Sequence, residues 1–283
     1  MKFAISYNTA ALGTHPEAVI RVAQHAEACG FESFLVPEHL VLYPGATLGA
    51  FQVPPTTAVA DPLELLSFVA GVTDRIVLGT AVLLLPYRHP VVLAKQLATI
   101  DILSRGRLQM ITVGLGTLDR EASAVGVEFA TRGRRADEAI DVLRKLWSGG
   151  AGGVSHSGEF FAFDDVCIFP KPCSAVLPIH IAGSSHAAAR RAGRLGDGYF
   201  PGGMLTSAER AAQLNIMRSY AARAGRDPAS LQYTRWGSLD LTKARLDAFE
   251  REGVHRLVVS PPIDRVQVQL DDLSAFAEKH LSA

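Results

Sequence analysis

The sequence predicts a closed α/β barrel, a (β/α)8 TIM barrel, formed as a single domain over residues 1–283 with insertion loops. Three observations predict it. Eight segments that read as strands are each followed by one that reads as a helix, within 283 residues, a length at which one such barrel is ordinary. Several strand segments, such as "RIVLGTAVLLL" and "RLQMITVGLG", are continuous apolar runs, the pattern of strands covered on both faces. No change of composition marks a linker. A doubly wound open sheet is the competing arrangement for the same alternation.

In chain order, "KFAIS" is the first strand, and "HPEAVIRVAQHAEACG" is a helix with Val19, Val22, Ala23 and Ala26 at helical spacing, stopped at Gly30. "SFLV" is the second strand. The stretch from Pro37 to Ala60 is rich in Pro, Gly and Thr and reads as a long loop, a length that usually carries function. "DPLELLSFVAGVT" is a helix with Asp61 as N-cap and Pro62 in its first turn. "RIVLGTAVLLL" leads through the turn at Tyr87, Arg88 and His89 into the helix "PVVLAKQLATIDILS", closed by Gly106. "RLQMITVGLG" is followed by "RRADEAIDVLRKLW", with Ile140, Leu143 and Trp147 on one face. Residues 155–172 alternate like a hairpin. "PIHIAG" with "SHAAARRAGRLG", "DGYF" with "SAERAAQLNIMRSYAARAG", "LQYTRWGS" with "TKARLDAFEREG", and "HRLVVS" with "QVQLDDLSAFAEKH" complete the eight units.

Composition narrows the function. Apolar residues make up 48% and charged residues 20%, the balance of a globular chain with an ample core. Lys+Arg and Asp+Glu are both 28, so no basic field favours nucleic acid as a partner. No apolar run is long enough to span a membrane, and Met1–Tyr7 reads as a strand rather than a leader. Three cysteines at irregular spacing fit neither a disulfide framework nor a zinc site, so a reducing cytoplasm is expected. No H-E-x-x-H, G-x-S-x-G or Walker A motif occurs, which argues against a metal site, a serine hydrolase and a nucleotide kinase.

Barrel chemistry sits at the C-terminal ends of the strands, and that rule ranks the candidates. After strand two come Glu38 and His39. Histidine titrates near neutrality, so His39 is a candidate acid/base group, and Glu38 is a candidate for holding His39 or a heterocycle edge. Gly114 and Gly116 close strand four and let backbone approach a flat ligand. After strand five, Gly183, Ser184 and Ser185 open a helix, whose free N–H groups favour phosphate; simple capping is the alternative. His25 and His280 fall within helices and read as structural.

The blocks "LPYRHPVVLAKQLATIDILSRGRL", "VGLGTLDREASAVGVEFATRGRRADEAIDVLRKLW" and "FPKPCSAVLPIHIAGSSHAAARRAGRLGDGYFP" resemble, in order and spacing, the luciferase-like monooxygenase superfamily of flavin and deazaflavin barrels, in its coenzyme F420 branch. The resemblance implies a luciferase-like barrel, frequent dimerisation, and a cofactor at the strand ends. It implies a cis peptide at Ala81–Val82 that presses on one face of the ring, Glu38 and His39 flanking that ring, Gly114 and Gly116 along it, and Gly183, Ser184 and Ser185 at the phosphate. Many relatives carry Trp after the strand-four glycines, where this chain has Thr117. Arg88 and Arg120 are candidates for a basic groove around the acidic tail of the deazaflavin, and a salt bridge fixing the turn is the other reading of Arg88.

The expected function is hydride transfer between coenzyme F420 and a small organic substrate, with His39 and Glu38 as the catalytic pair and residues 37–60 as a lid. An FMN-dependent monooxygenase fed reduced flavin by a partner reductase is the second reading, and a non-catalytic cofactor-binding barrel the third. Reactivity with oxygen separates the first two; turnover separates both from the third.

Overall fold

The computed structural model describes residues 1–203 and 205–281. The barrel strands are Lys2–Ser6 (β1), Ser33–Val36 (β2), Val77–Leu84 (β3), Leu108–Gly114 (β4), Ile179–Ala182 (β5), Gly198–Phe200 (β6), Gln232–Trp236 (β7) and Arg256–Val259 (β8). Each pairs in parallel with its chain neighbours, and β8 returns to β1 with Lys2 opposite Arg256 and Ile5 opposite Val259. That pairing closes the barrel and excludes the open sheet.

Among the described residues, the eight helices of ten or more residues cover the strands: Pro16–Ala28 (α1), Pro62–Val72 (α2), Pro90–Leu103 (α3), Arg132–Ser148 (α4), His186–Leu195 (α5), Ser207–Arg223 (α6), Lys243–Glu252 (α7) and Val266–His280 (α8). Their starts follow local chemistry. The Asp61 carboxylate accepts from Leu63 N at 2.8 Å, with Pro62 in the first turn, and Thr206 forms a reciprocal capping box with Glu209.

Two apolar layers result from the two-faced burial of the strands. Outward residues such as Phe34, Leu78, Ile111 and Leu257 pack against Leu66, Leu97, Leu143 and Leu273 of the helices. Inward residues Ala4, Leu35, Ala81, Met110, Phe200 and Val258 fill the barrel itself, so it is a packed core rather than a pore. At its lower end Arg256 holds Glu32 with two hydrogen bonds of 2.7 and 2.6 Å. His180 is buried beside them with no partner for Nδ1 among the described residues.

The insertions also take shape. Val154–Ser157 and Ala162–Val166 pair as the expected hairpin. The loop from 37 to 60 contains a small hairpin, Thr47–Leu48 against Phe51–Gln52. The loop after β4 holds a short helix, Asp119–Ala124, too short to show a period in the sequence. Cys29, Cys167 and Cys173 are free. Among the described residues, no helix is long and apolar enough to cross a membrane.

Candidate active site

The site begins where β3 breaks. The Ala81–Val82 peptide is cis, as the resemblance implied, and the pairing with β4 slips at this point: Ala81 faces Thr112, while Leu83, not Val82, faces Val113. The Val82 side chain lies over Gly114, where an added Cβ would sit 2.6 Å from Val82 Cγ2. Two residues on, Gly116 has φ +76°, and a Cβ there would sit 2.6 Å from Cζ of Tyr87. The turn therefore needs glycine for both its backbone and its neighbour. Burial pushes the Tyr87 phenol up to about 12, so it remains a neutral wall at physiological pH.

Glu38 follows β2 and turns inward. Its carboxylate accepts from the guanidinium of Arg88, from Nε at 2.9 Å and also from a terminal nitrogen, and from the Leu84 backbone N–H. Arg88 also holds Asp61, the cap of α2. Burial pushes the Glu38 carboxyl up, and the Arg88 charge and the Leu84 N–H pull part of that rise back. Burial also works against the charge on Arg88, but Glu38 and Asp61 more than offset it and raise its pKa. The turn after β3 is thus basic because it supplies the counter-ion to a buried carboxylate.

His39 points the other way, to a residue absent from the sequence-derived candidates. Its Nδ1 lies 3.2 Å from Glu121 Oε2 and 3.4 Å from Oε1. Glu121 is fully buried. Its Oε1 accepts from Leu40 N at 2.7 Å and from Val41 N at 3.4 Å. An ionised carboxylate only accepts hydrogen bonds. Nδ1 must therefore be the donor, which leaves Nε2 as the free nitrogen of the neutral ring. The same carboxylate holds the first residues of the long loop, whose Tyr43 reaches Asp119 at 3.3 Å.

At the far end, β5 delivers Gly183, Ser184 and Ser185 to the start of α5. The Ser185 hydroxyl accepts from Ala188 N at 3.1 Å, so it caps the helix. Ser184 Oγ donates to the Gly202 carbonyl, and Gln213 holds the Ser184 carbonyl. Within the described chain, the backbone N–H groups of residues 184–187 have no acceptor. They stand at the positive end of a helix dipole, a ready anion site.

Two cavities meet at this constellation. The larger, about 530 Å³, runs from Glu38, His39 and Val82 past Gly114, Gly116 and Thr117 to Gly183, Ser184 and Ser185. The smaller, about 280 Å³, lies under the long loop and shares Glu38, His39 and Val82 with it. The structure thus brings Val82, Gly114, Gly116, Gly183, Ser184 and Ser185 to one elongated groove, and Ala81 to the smaller chamber beside it. The lining of Val82, Gly114 and Gly116 suits a flat ring, and the free N–H groups at the start of α5 suit a phosphate.

Some expectations are revised. Arg88 is not available for an acidic tail, because both its carboxylate partners already occupy it. Arg120 stacks over Tyr43 at 4.4 Å instead of lining the groove. The Glu38 carboxylate is committed to Arg88, so it orders the site from within, while Glu121 is what orients His39. His25 is structural as read, its Nε2 meeting Ser274 Oγ at 2.8 Å, and His280 packs on Phe276. Among the described residues, no cluster of His, Cys, Asp or Glu could hold a metal ion.

The chain is similar to known proteins in sequence and in fold. The family model for luciferase-like monooxygenases matches residues 1–275. A phthiodiolone/phenolphthiodiolone dimycocerosates ketoreductase from a Mycobacterium species is 33% identical over 211 residues, 71% of this chain and 55% of that protein. An F420-dependent glucose-6-phosphate dehydrogenase from Kribbella flavida is 30% identical over 293 aligned positions, 94% of this chain and 83% of that protein. The chain thus spans about half the length of the first relative and most of the second. Among solved structures, a monooxygenase from Streptomyces bottropensis superposes with a TM-score of 0.80 over 99% of both chains at 21% identity, a likeness of fold.

Proposed function

The chain belongs to the luciferase-like monooxygenase family, and from that premise we propose that it is an oxidoreductase using coenzyme F420 on a small organic substrate. The single observation that carries this reading is the placement of His39, oriented by buried Glu121, at the junction of a second chamber and a groove that ends at Gly183, Ser184 and Ser185. When bound, the deazaflavin supplies or accepts a hydride; a carbonyl that gains hydride at carbon must gain one proton at oxygen. The protein's part is positioning, proton handling and exclusion of water.

Val82, Gly114 and Gly116 would hold the ring, and Ser184, Ser185 and the N–H groups of residues 184–187 the phosphate. For reduction, His39 enters as the imidazolium with Nδ1–H on Glu121 and gives its Nε2 proton to the carbonyl oxygen; for oxidation, the neutral ring takes the alcohol's proton at Nε2. Glu38 with Arg88 sets the loop that carries His39. The long loop covers the chamber. Exposed apolar side chains at Phe68, Val92 and Leu103 on α2 and α3 support a homodimer.

The relative aligned over 94% of this chain is F420-dependent by name, which favours the deazaflavin. FMN with a partner reductase is the second reading, since the groove addresses parts the two cofactors share. Titration of the purified protein with F420 and with FMN, followed by fluorescence, tests the choice. Tighter binding of F420 is expected. A preference for FMN overturns the cofactor assignment, and binding of neither overturns the enzyme reading.

A further inference from the structure

The smaller chamber has a chemical character of its own. It is lined by Leu42, Leu48, Val53 and Val59 from the long loop, with Ala81 and Val82 on the opposite wall. Polar atoms are few. Asn8 Oδ1 is taken by Ala10 N at 3.1 Å, and the Glu38 carboxylate is taken by Arg88. That leaves His39, the Thr57 hydroxyl and the NH2 of Asn8 as side-chain hydrogen-bonding points, of which only His39 is titratable. No lysine or arginine lines either cavity among the described residues.

A phosphate ester or carboxylate taken into such a chamber would lose its water without gaining a cation, a large penalty. An aliphatic body would gain by burial, at roughly 25 cal/mol per Å² of apolar surface. At the packing density of protein interiors, about 0.74, the chamber holds on the order of 200 Å³ of van der Waals volume, or roughly ten heavy atoms.

We infer that this chamber takes a neutral, mainly aliphatic carbonyl compound or its alcohol, with its single oxygen at His39 and its hydrocarbon body under the long loop. The inference deepens the reading of His39 as the proton-exchanging group and names the substrate class. It also separates this chain from its phosphosugar-oxidising relative.

Binding, measured apart from turnover, tests it. Calorimetric titration uses 4-methylcyclohexanone and glucose 6-phosphate as probes, with F420 titrated separately. The ketone is expected to bind measurably and glucose 6-phosphate not at all. Val53→Trp fills the chamber and is expected to weaken the ketone at least tenfold. Circular dichroism and the F420 titration report whether the variant is folded, and Leu48→Phe serves in its place if it is not. Absence of ketone binding, unchanged ketone affinity in the filled folded variant, or tighter binding of glucose 6-phosphate overturns the inference. F420 binding without ketone binding sinks the chamber assignment alone. Ketone binding that the filled variant abolishes, with no F420 binding, sinks the cofactor reading alone.

Discussion

Replacing Glu121 by glutamine probes the site's least visible part. The change keeps side-chain length and volume but replaces an acceptor-only carboxylate with an amide. The amide oxygen can serve either Leu40 N, now bonded at 2.7 Å, or His39 Nδ1, now at 3.2 Å from Oε2. Its NH2 must then face the other. If the NH2 faces Nδ1, that nitrogen must lose its proton, and the imidazolium that gives a proton at Nε2 is no longer supported by a carboxylate. Hydrogen bonds to charged groups contribute about 1.5–3 kcal/mol each, so loss of the oriented pair is expected to lower kcat by roughly 10–100-fold. KM should change little, because Glu121 lines neither cavity. Glu121→Asp should recover part of the rate. Return of oxidised F420 from its reduced form, with a cyclic ketone present, measures the rate, and 15N chemical shifts of His39 report its tautomer. A kcat within threefold of the parent and an unchanged 15N pattern would refute the role.

Three further outcomes follow from the same structure. Arg88→Met leaves Glu38 buried without its counter-ion and should cost about 3–5 kcal/mol of stability, read as a drop in the denaturant midpoint; a change under 1 kcal/mol would contradict the ion-pair account. Gly116→Ala forces a side chain into a left-handed backbone and against the Tyr87 ring, costing at least about 1–2 kcal/mol and weakening F420 binding, which thermal unfolding and fluorescence titration check. Burial, assisted by the charge of Arg256, pushes the His180 imidazole down to about 4. Its folded pKa lies below its ordinary one, so its contribution to stability is complete above about pH 6.5 and is lost as pH falls toward 4, on the order of 3 kcal/mol. The urea midpoint should fall across that window, and His180→Gln should flatten the fall.

The barrel was legible because strands buried on both faces must be apolar along their whole length, and the helices carry their own punctuation, as at Asp61–Pro62 and Ser185. The rim residues were legible because strand ends are where barrels place chemistry. What escaped was pairing across sequence distance. Glu121 meets His39 from 82 residues away, and "LDREASA" read locally is an ordinary solvated loop. Arg88 meets Glu38 across 50 residues and Asp61 across 27, so the basic turn could be suspected of holding either a tail or a salt bridge, and only the folded positions decide. The apolar lining of the loop was hidden for the same reason: Leu42, Leu48, Val53 and Val59 are scattered among Pro, Gly and Thr and show no period until the folded loop brings them to one chamber.

The central claim is that the strand-end groove holds a tricyclic redox cofactor by its ring and its phosphate. A crystal structure of the protein with oxidised F420 tests it most directly. Density is expected for a phosphate on the N–H groups at Ser184 and Ser185 and for a flat ring between Val82 and His39. Density elsewhere on the surface, or a phosphate away from the start of α5, would contradict it.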